Sequence, residues 1–349
     1  MLNPSGCVLR GLLMKRKRVS YAKYGYIFSI PFVVTFLVCT LYPIIYTGVI
    51  GFTNLKGSTM AFSDAKFLPS LGQGLWDNFV DTLTAPTFHT ALKNTVKMWV
   101  VNFIPQITLA LILAAWFTNN QKKIKAQGFF KVVFYLPNII TAATIGILFA
   151  NLFAYPKGVI NDILIQLGFI DSPYNFAISA SAAQNSVSFM QFWTWYGNTM
   201  IVLIAGILGI NPEMYEAAEI DGANGNQQFF YITIPNLKTM LLYTLVTSLI
   251  GGMQMFDIPR VFLNGQPQNS TLTASLFIYT QAFSGSYQYN KASAASLIMF
   301  VIISVLSAVV FFMLRDKDEI KLHKIIKQQE REYRKKVKLA KQQLLKEGR

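Results

Sequence analysis

Apolar residues along this chain gather into six runs, at roughly 24–52, 94–117, 129–153, 187–209, 237–257 and 291–314. Each is near the roughly 20 residues that a helix needs to cross the hydrocarbon of a bilayer. The first contains YIFSIPFVVTFLVCTLYPIIYTGVIGF, with no charge in it. The fourth is the least apolar, because QFWTWYGNT sets amides and aromatic rings inside it. Prolines fall within the runs: Pro31 and Pro43 in the first, Pro105 in the second, Pro137 in the third. Each removes a backbone donor and predicts a kink, which a membrane bundle tolerates when neighbours satisfy the freed carbonyl. The pattern predicts an all-α, polytopic membrane helical bundle of six transmembrane helices over 24–314. A basic segment, 1–23, precedes it and a basic tail, 315–349, follows.

Composition points the same way. Apolar residues make up 53% of the 349 and charged residues 13%, about half of what a water-facing domain carries. Basic residues then orient the spans. Six lie in 1–23 and thirteen in 315–349, while Lys122, Lys123, Lys125 and Lys131 mark the connection between the second and third spans. Positive charge stays on the cytoplasmic side, so both termini are expected inside. The chain is therefore expected in a bacterial-type cytoplasmic membrane as a multi-pass protein. Its first residues lack the apolar core of a cleaved signal peptide, and Cys7 and Cys39 offer no disulfide framework.

The connection between the fourth and fifth spans, 211–235, departs from this basic pattern. It contains YEAAEIDGANGNQQFFYITIP, with Glu216, Glu219 and Asp221 close together and no basic residue. Asn211 is suited to cap a helix, Pro212 to its first position, Glu213 to its positive end, and Gly222 to its stop. A second helical stretch, NQQFFYI, is expected to end at Pro235, which opens the fifth span. Ala217 and Ala218 are small enough to let a partner's surface approach, Met214 and Tyr215 offer apolar anchors, and the carboxylates suit a partner's Arg or Lys. An ordinary helix resting on headgroups would instead favour Lys and Arg. The residues favour docking to another protein.

Polar groups inside spans are costly unless they face a cavity or a partner. Gln191, Trp195, Asn198 and Thr199 form one stripe of the fourth span, at i, i+4, i+7 and i+8. A flat ring beside amides suits a sugar, the ring meeting its apolar face and the amide its hydroxyls. Thr247, Gly251 and Gln254 lie on one face of the fifth span, with Ser248, Gly252 and Met255 beside it. Helix packing is the competing role. It is the expectation for the glycines and Ser248, and stands level with a substrate path for the fourth-span stripe. Asp257, at the outer end of the fifth span, is expected to form a local ion pair with Arg260, a gate being the alternative. In the tail, Ile326, Tyr333, Val337, Ala340 and Leu344 have heptad-like spacing, which fits an amphipathic helix on anionic lipid or a partner protein as well as a solvated tail.

Glu216-Ala217-Ala218, three residues, Gly222, nine residues and Ile232-Thr233-Ile234-Pro235 resemble the EAA loop of binding-protein-dependent ATP-binding-cassette importers. The form YEAAEIDGA is similar to their carbohydrate class, the maltose and glycerol-phosphate permeases, with Ile234 where the motif has Leu. WDNFVDTLTAPTFHTALKNT (76–95), FYLPNII (134–140), NSTLTASLFIYTQAF (269–283) and NKASAASLIMF (290–300) resemble other parts of that permease. LNGQPQNST (263–271) departs from it, lacking the usual glycine-rich turn before the Asn-Ser-Thr. The resemblance, over about residues 20–315, implies the first of two homologous permease subunits that pair as a heterodimer. It implies two cytoplasmic ATPase subunits gripping the EAA coupling helix through Tyr215, Glu216, Ala217, Ala218, Asp221, Gly222 and Pro235, and an extracytoplasmic solute-binding protein delivering a sugar or oligosaccharide. A polyol or glycerol-phosphate-like solute is the alternative.

No cofactor is expected on this chain; ATP and magnesium would belong to the partner ATPase, since no G-x-x-x-x-G-K-[ST] loop is present. Metal and nucleophile motifs are absent too, so no catalytic residue, metal or nucleic acid is expected. An ion-coupled secondary transporter would need ionisable groups within the spans, which are nearly free of them.

Overall fold

The computed structural model describes residues 22–57, 60–119, 125–285, 287–314, 324–335, 337, 339 and 342. Most of the basic segment 1–23 and much of the tail, including Ala340 and Leu344, lie outside them. Residues 324–335 are helical and exposed.

The first apolar run forms α1 (Ala22–Phe36), a π turn (Leu37–Leu41) and α2 (Tyr42–Ile50) in one rod. The Tyr42 N–H bonds to Leu37 O, five residues back, so the helix widens immediately before Pro43, a position with no N–H to give. The large side chains of α1 are exposed, which suits a rod surrounded by lipid. Next come α3 (Asp77–Thr84) and α4 (Pro86–Thr118), which runs through Pro105 as one 33-residue helix.

The third run does not form the continuous helix expected over 129–153. It divides into α5 (Gln127–Ile139) and α6 (Ala142–Leu152), bent by 91°. Pro137 weakens the end of α5, and the Thr141 hydroxyl caps a new helix by accepting from Thr144 N at 3.3 Å. After α7 (Val159–Gln166) come the 29-residue α8 (Ala180–Leu208) and α9 (Pro212–Ile220), bent by 72° from it. The chain then forms α10 (Gly225–Gln228), a π turn (Phe229–Thr233) and α11 (Ile234–Asn236), leading into α12 (Lys238–Met253). Pro235 therefore lies inside a near-continuous helix rather than ending one, because the π turn before it loosens the ladder. Finally come α13 (Asp257–Phe262), α14 (Ala274–Phe283) and α15 (Tyr289–Leu314). Among the described residues, four helical segments are each long and apolar enough to cross a membrane, and the number reaches six if each bent pair counts as one.

The most extensive helix pair is α4 with α8. Asn94 meets Gln184, Gln106 meets Thr199, and Phe117 packs near Ile207, so the two helices run parallel. The intervening chain must therefore return the length of the bundle, which α5 and α6 accomplish. Gly197 of α8 lets α5 approach closely, since a Cβ there would lie 2.4 Å from Phe134 O. One apolar cluster joins Phe88 and Ala91 to Met253, Phe277 and Met299, and another joins Leu113 and Phe117 to Met200, Leu203 and Leu237. Between these clusters lies a polar layer.

Buried amides tie the end of the bundle where α4 begins. Asn78 Nδ2 donates to Gly51 O at 2.9 Å and Thr53 O at 2.8 Å, and its Oδ1 accepts from Asn290 Nδ2 at 2.9 Å. One side chain thus joins the ends of α2, α3 and α15. Asn94 Nδ2 donates to Asn269 O and Leu272 O, while Gln184 Nε2 donates to Asn94 Oδ1 and Ser270 O. The segment 263–271 is built without a glycine-rich turn: Asn264, Gln268 and Asn269 themselves take positive φ beside Gly265. Replacing Asn78 by Leu strands three buried polar groups, each worth about 1–3 kcal/mol when unpaired. The expected outcome is a lower thermal unfolding midpoint for the detergent-purified protein, followed by tryptophan fluorescence.

Candidate functional site

The polar layer opens into a cavity of about 210 Å³ between α4, α8 and α12. α8 contributes the predicted stripe in full, with Gln191, Trp195, Asn198 and Thr199 all at its wall. Trp195 is half exposed, and Thr199 is buried against α4, accepting from Gln106 Nε2 at 2.8 Å. From α12 come Thr247 and Gly251. Gln254 lies elsewhere, just past the end of α12. It lines a separate, more apolar cavity with Ser275, Met299 and Ser307.

The small residues of α12 divide by role. A Cβ on Gly252 would lie 2.1 Å from Trp99 Cδ1, and Trp99 Nε1 donates to Ser248 Oγ at 3.3 Å. Gly252 and Ser248 therefore seat the Trp99 ring, which is the packing role expected of them. Gly251 has nothing within 4 Å of its Cβ position and faces open space. Asn102, Gln106, Tyr243 and Thr244 also line the cavity but escaped the sequence reading. Asn102 and Gln106 stand four apart in the second span, the same signal that marked the fourth, and would have been found there.

At the far end of α8 the chain turns into the EAA loop. The Asn211 side chain caps α9 by accepting from Glu213 N at 3.1 Å, with Pro212 at the first helical position. The stop is a Schellman motif: Gly222 N–H bonds Glu219 O at 3.0 Å and Ala223 N–H bonds Ala218 O at 2.8 Å. Gly222 takes φ +80°, in open space. Asn224 and Gln227 then form a reciprocal capping box. Glu216, Ala217, Asp221 and Pro235 are exposed and Ala218 is half-buried. Tyr215 turns inward, its hydroxyl 2.9 Å from Thr233 Oγ1, and braces the two halves of the loop. A cleft of about 870 Å³ separates the loop from the end of α4, with Glu216, Glu219 and Phe230 on one side and Ile112 and Trp116 on the other.

Residues 96–315 match the family of binding-protein-dependent transport system inner membrane components. The chain belongs to that family. As a member it is a membrane-embedded transport component, not an enzyme. The permease is 34% identical over 299 residues to the lactose transport system permease protein LacF of Rhizobium radiobacter, covering 85% of this chain and 96% of the relative. It is 32% identical over 289 residues to the arabinooligosaccharides transport system permease protein AraP of Bacillus subtilis (strain 168), covering 81% and 86%. Its fold is similar to a chain in the crystal structure of a bacterial ABC transporter involved in the import of the acidic polysaccharide alginate. The TM-score is 0.69 at 23% identity, with 86% of this chain and 97% of that chain covered.

Asp257 and Arg260 do not form the expected pair. The Arg260 guanidinium bonds Asn264 Oδ1 and lies 4.7 Å from the Tyr279 ring centroid. Asp257 begins α13, where a carboxylate suits the helix dipole.

Alanine at Gly252 would crowd the Trp99 ring, an overpacking cost of about 1–3 kcal/mol. Gly252→Ala is expected to lower the melting midpoint in detergent, whereas Gly251→Ala leaves it unchanged or raises it.

Proposed function

We propose that this permease carries a sugar or oligosaccharide across the cytoplasmic membrane as half of the translocation path of an ATP-driven importer. The exposed, doubly capped acidic helix α9 carries the reading: it leaves the bundle at a bend, beside a cleft that another protein can fill. Glu216 is the group offered to a basic or polar residue of a separate ATPase subunit, and Gly222 sets the turn behind it. ATP and magnesium are bound by that ATPase. Closure of two ATPase subunits would move α9, and with it α8 and α12, which wall the cavity. This is alternating access, in which energy released at one site biases a two-state bundle.

The arrangement of helices supports six spans. The parallel course of α4 and α8, with α5 and α6 returning between them, fits one bent span there. The described ends at Ala22 and Leu314 then fall toward the EAA-loop side, in keeping with the cytoplasmic side that the basic residues favour. At about 210 Å³, the cavity is smaller than the roughly 300–1,000 Å³ usual for small-molecule sites. That favours a path completed by a second, homologous permease. The names of the relatives favour a saccharide, delivered by an extracytoplasmic binding protein.

Proteoliposomes holding this permease, its partner permease and the ATPase, supplied with the sugar-loaded binding protein, are expected to couple ATP hydrolysis to sugar uptake, and liposomes with the permease alone to do neither. Glu216→Lys should reduce uptake to background while membrane insertion and assembly of the permease pair persist. Gly222→Ala, which adds about 1–2 kcal/mol of left-handed backbone strain, should lower uptake partially. Uptake by the permease alone would sink the proposal.

A further inference from the structure

We infer that the cavity between α4, α8 and α12 is itself a charge filter, admitting uncharged, hydroxyl-rich solutes and turning away carboxylated or phosphorylated ones. The inference rests on the sugar reading and narrows its substrate class, placing part of the selection in the permease rather than wholly in a binding protein.

Two observations carry it. The first is where the hydrogens of the wall point. Thr199 Oγ1 donates to Trp195 O at 3.2 Å, Thr244 Oγ1 to Met240 O at 2.8 Å and Thr247 Oγ1 to Tyr243 O at 2.9 Å. Each threonine has thus spent its one hydrogen on its own helix and keeps only oxygen lone pairs for a ligand. Asn102 Nδ2 donates to Met98 O at 2.9 Å and Gln106 Nε2 to Thr199 Oγ1 at 2.8 Å. Their carbonyl oxygens remain as acceptors, each amide keeping one further N–H. A sugar hydroxyl both donates and accepts, so it satisfies such a wall. A carboxylate or phosphate only accepts, so these oxygens repel it and it is left with the neutral N–H and O–H donors of the wall.

The second observation is the absence of a counter-charge among the lining residues. The donors that remain, the amides of Gln191 and Asn198, the Trp195 indole and the Tyr243 hydroxyl, are all neutral. α8 carries no charged residue along its 29 positions. On α4 the nearest cation is Lys97, five residues before Asn102 and so about 7.5 Å away along the axis. Its ammonium is engaged, donating to Gln184 Oε1 at 2.6 Å. On α12 the basic residue is Lys238, at the first position. An anion entering the cavity would exchange its hydration for neutral groups within an apolar bundle, a transfer that is unfavourable without a paired cation.

The test uses the intact importer complex in nanodiscs, without binding protein, so that the permease pair alone selects. Affinities are measured by titration calorimetry for lactose against lactobionate and for arabinotriose against trigalacturonate. The expected result is that a neutral member binds at least about tenfold more tightly than its acidic counterpart. Thr247→Lys, placing a cation at the wall, should narrow that gap. Equal or tighter binding of an acidic member to the wild-type complex would overturn the charge filter and leave the sugar reading standing. Failure of all four sugars to bind at millimolar concentration would overturn the sugar reading and the filter with it.

Discussion

Gln106 and Thr199 meet across the α4–α8 seam at 2.8 Å, and the architecture turns on that meeting. In an apolar bundle a polar side chain has few partners to choose from, so one buried amide bonded to one hydroxyl sets the register of two long helices. The same seam continues toward the start of α4, where Gln184 accepts from Lys97 and donates to Asn94. Further bonds from these amides reach the backbone of residues 269–272. A parallel pair held at several points is a rigid wall. The cavity, the connection at one end of the bundle and the EAA loop at the other are all attached to it.

This wall explains how a motion at α9 can be felt within the bundle. α9 follows α8 after a three-residue turn, and the Tyr215 hydroxyl reaches Thr233, which is buried in the segment leading into α12. Both helices that flank the loop also flank the cavity. The caps at Asn211, Gly222 and Asn224 satisfy the loop's own backbone, so the exposed carboxylate of Glu216 is presented from a defined helix rather than a mobile strand of chain. Under the proposed function, docking energy applied there would pass through packed elements instead of being lost in disorder.

Much of this was legible in the residues. The apolar runs, the caps of α9 and the stop at Gly222 follow from rules that act within one or two helical turns. The Gln191, Trp195, Asn198 and Thr199 stripe was found because polar residues in an apolar helix repeat with the helical period. Other features were not legible. Gln254 shares a helix face with Thr247 and Gly251 in the sequence, yet α12 ends at Met253 and Gln254 lines a different cavity. Arg260 lies three residues from Asp257, but Asn264 and Tyr279 claim its guanidinium.

What the sequence alone determined was the solvent of the chain and the local design of its loop: runs of apolar residues choose lipid, and caps and a left-handed glycine choose where short helices start and stop. What only the tertiary structure decided was which polar groups meet. It broke the third span at Ile140–Thr141, set Gly252 against Trp99 while leaving Gly251 open, and joined Asn102 and Gln106 to a stripe some ninety residues away. The physical reason is range. Hydrophobicity and backbone preference are properties of a few consecutive residues, whereas a buried hydrogen bond or a close helix crossing is satisfied by whatever the fold brings to that point.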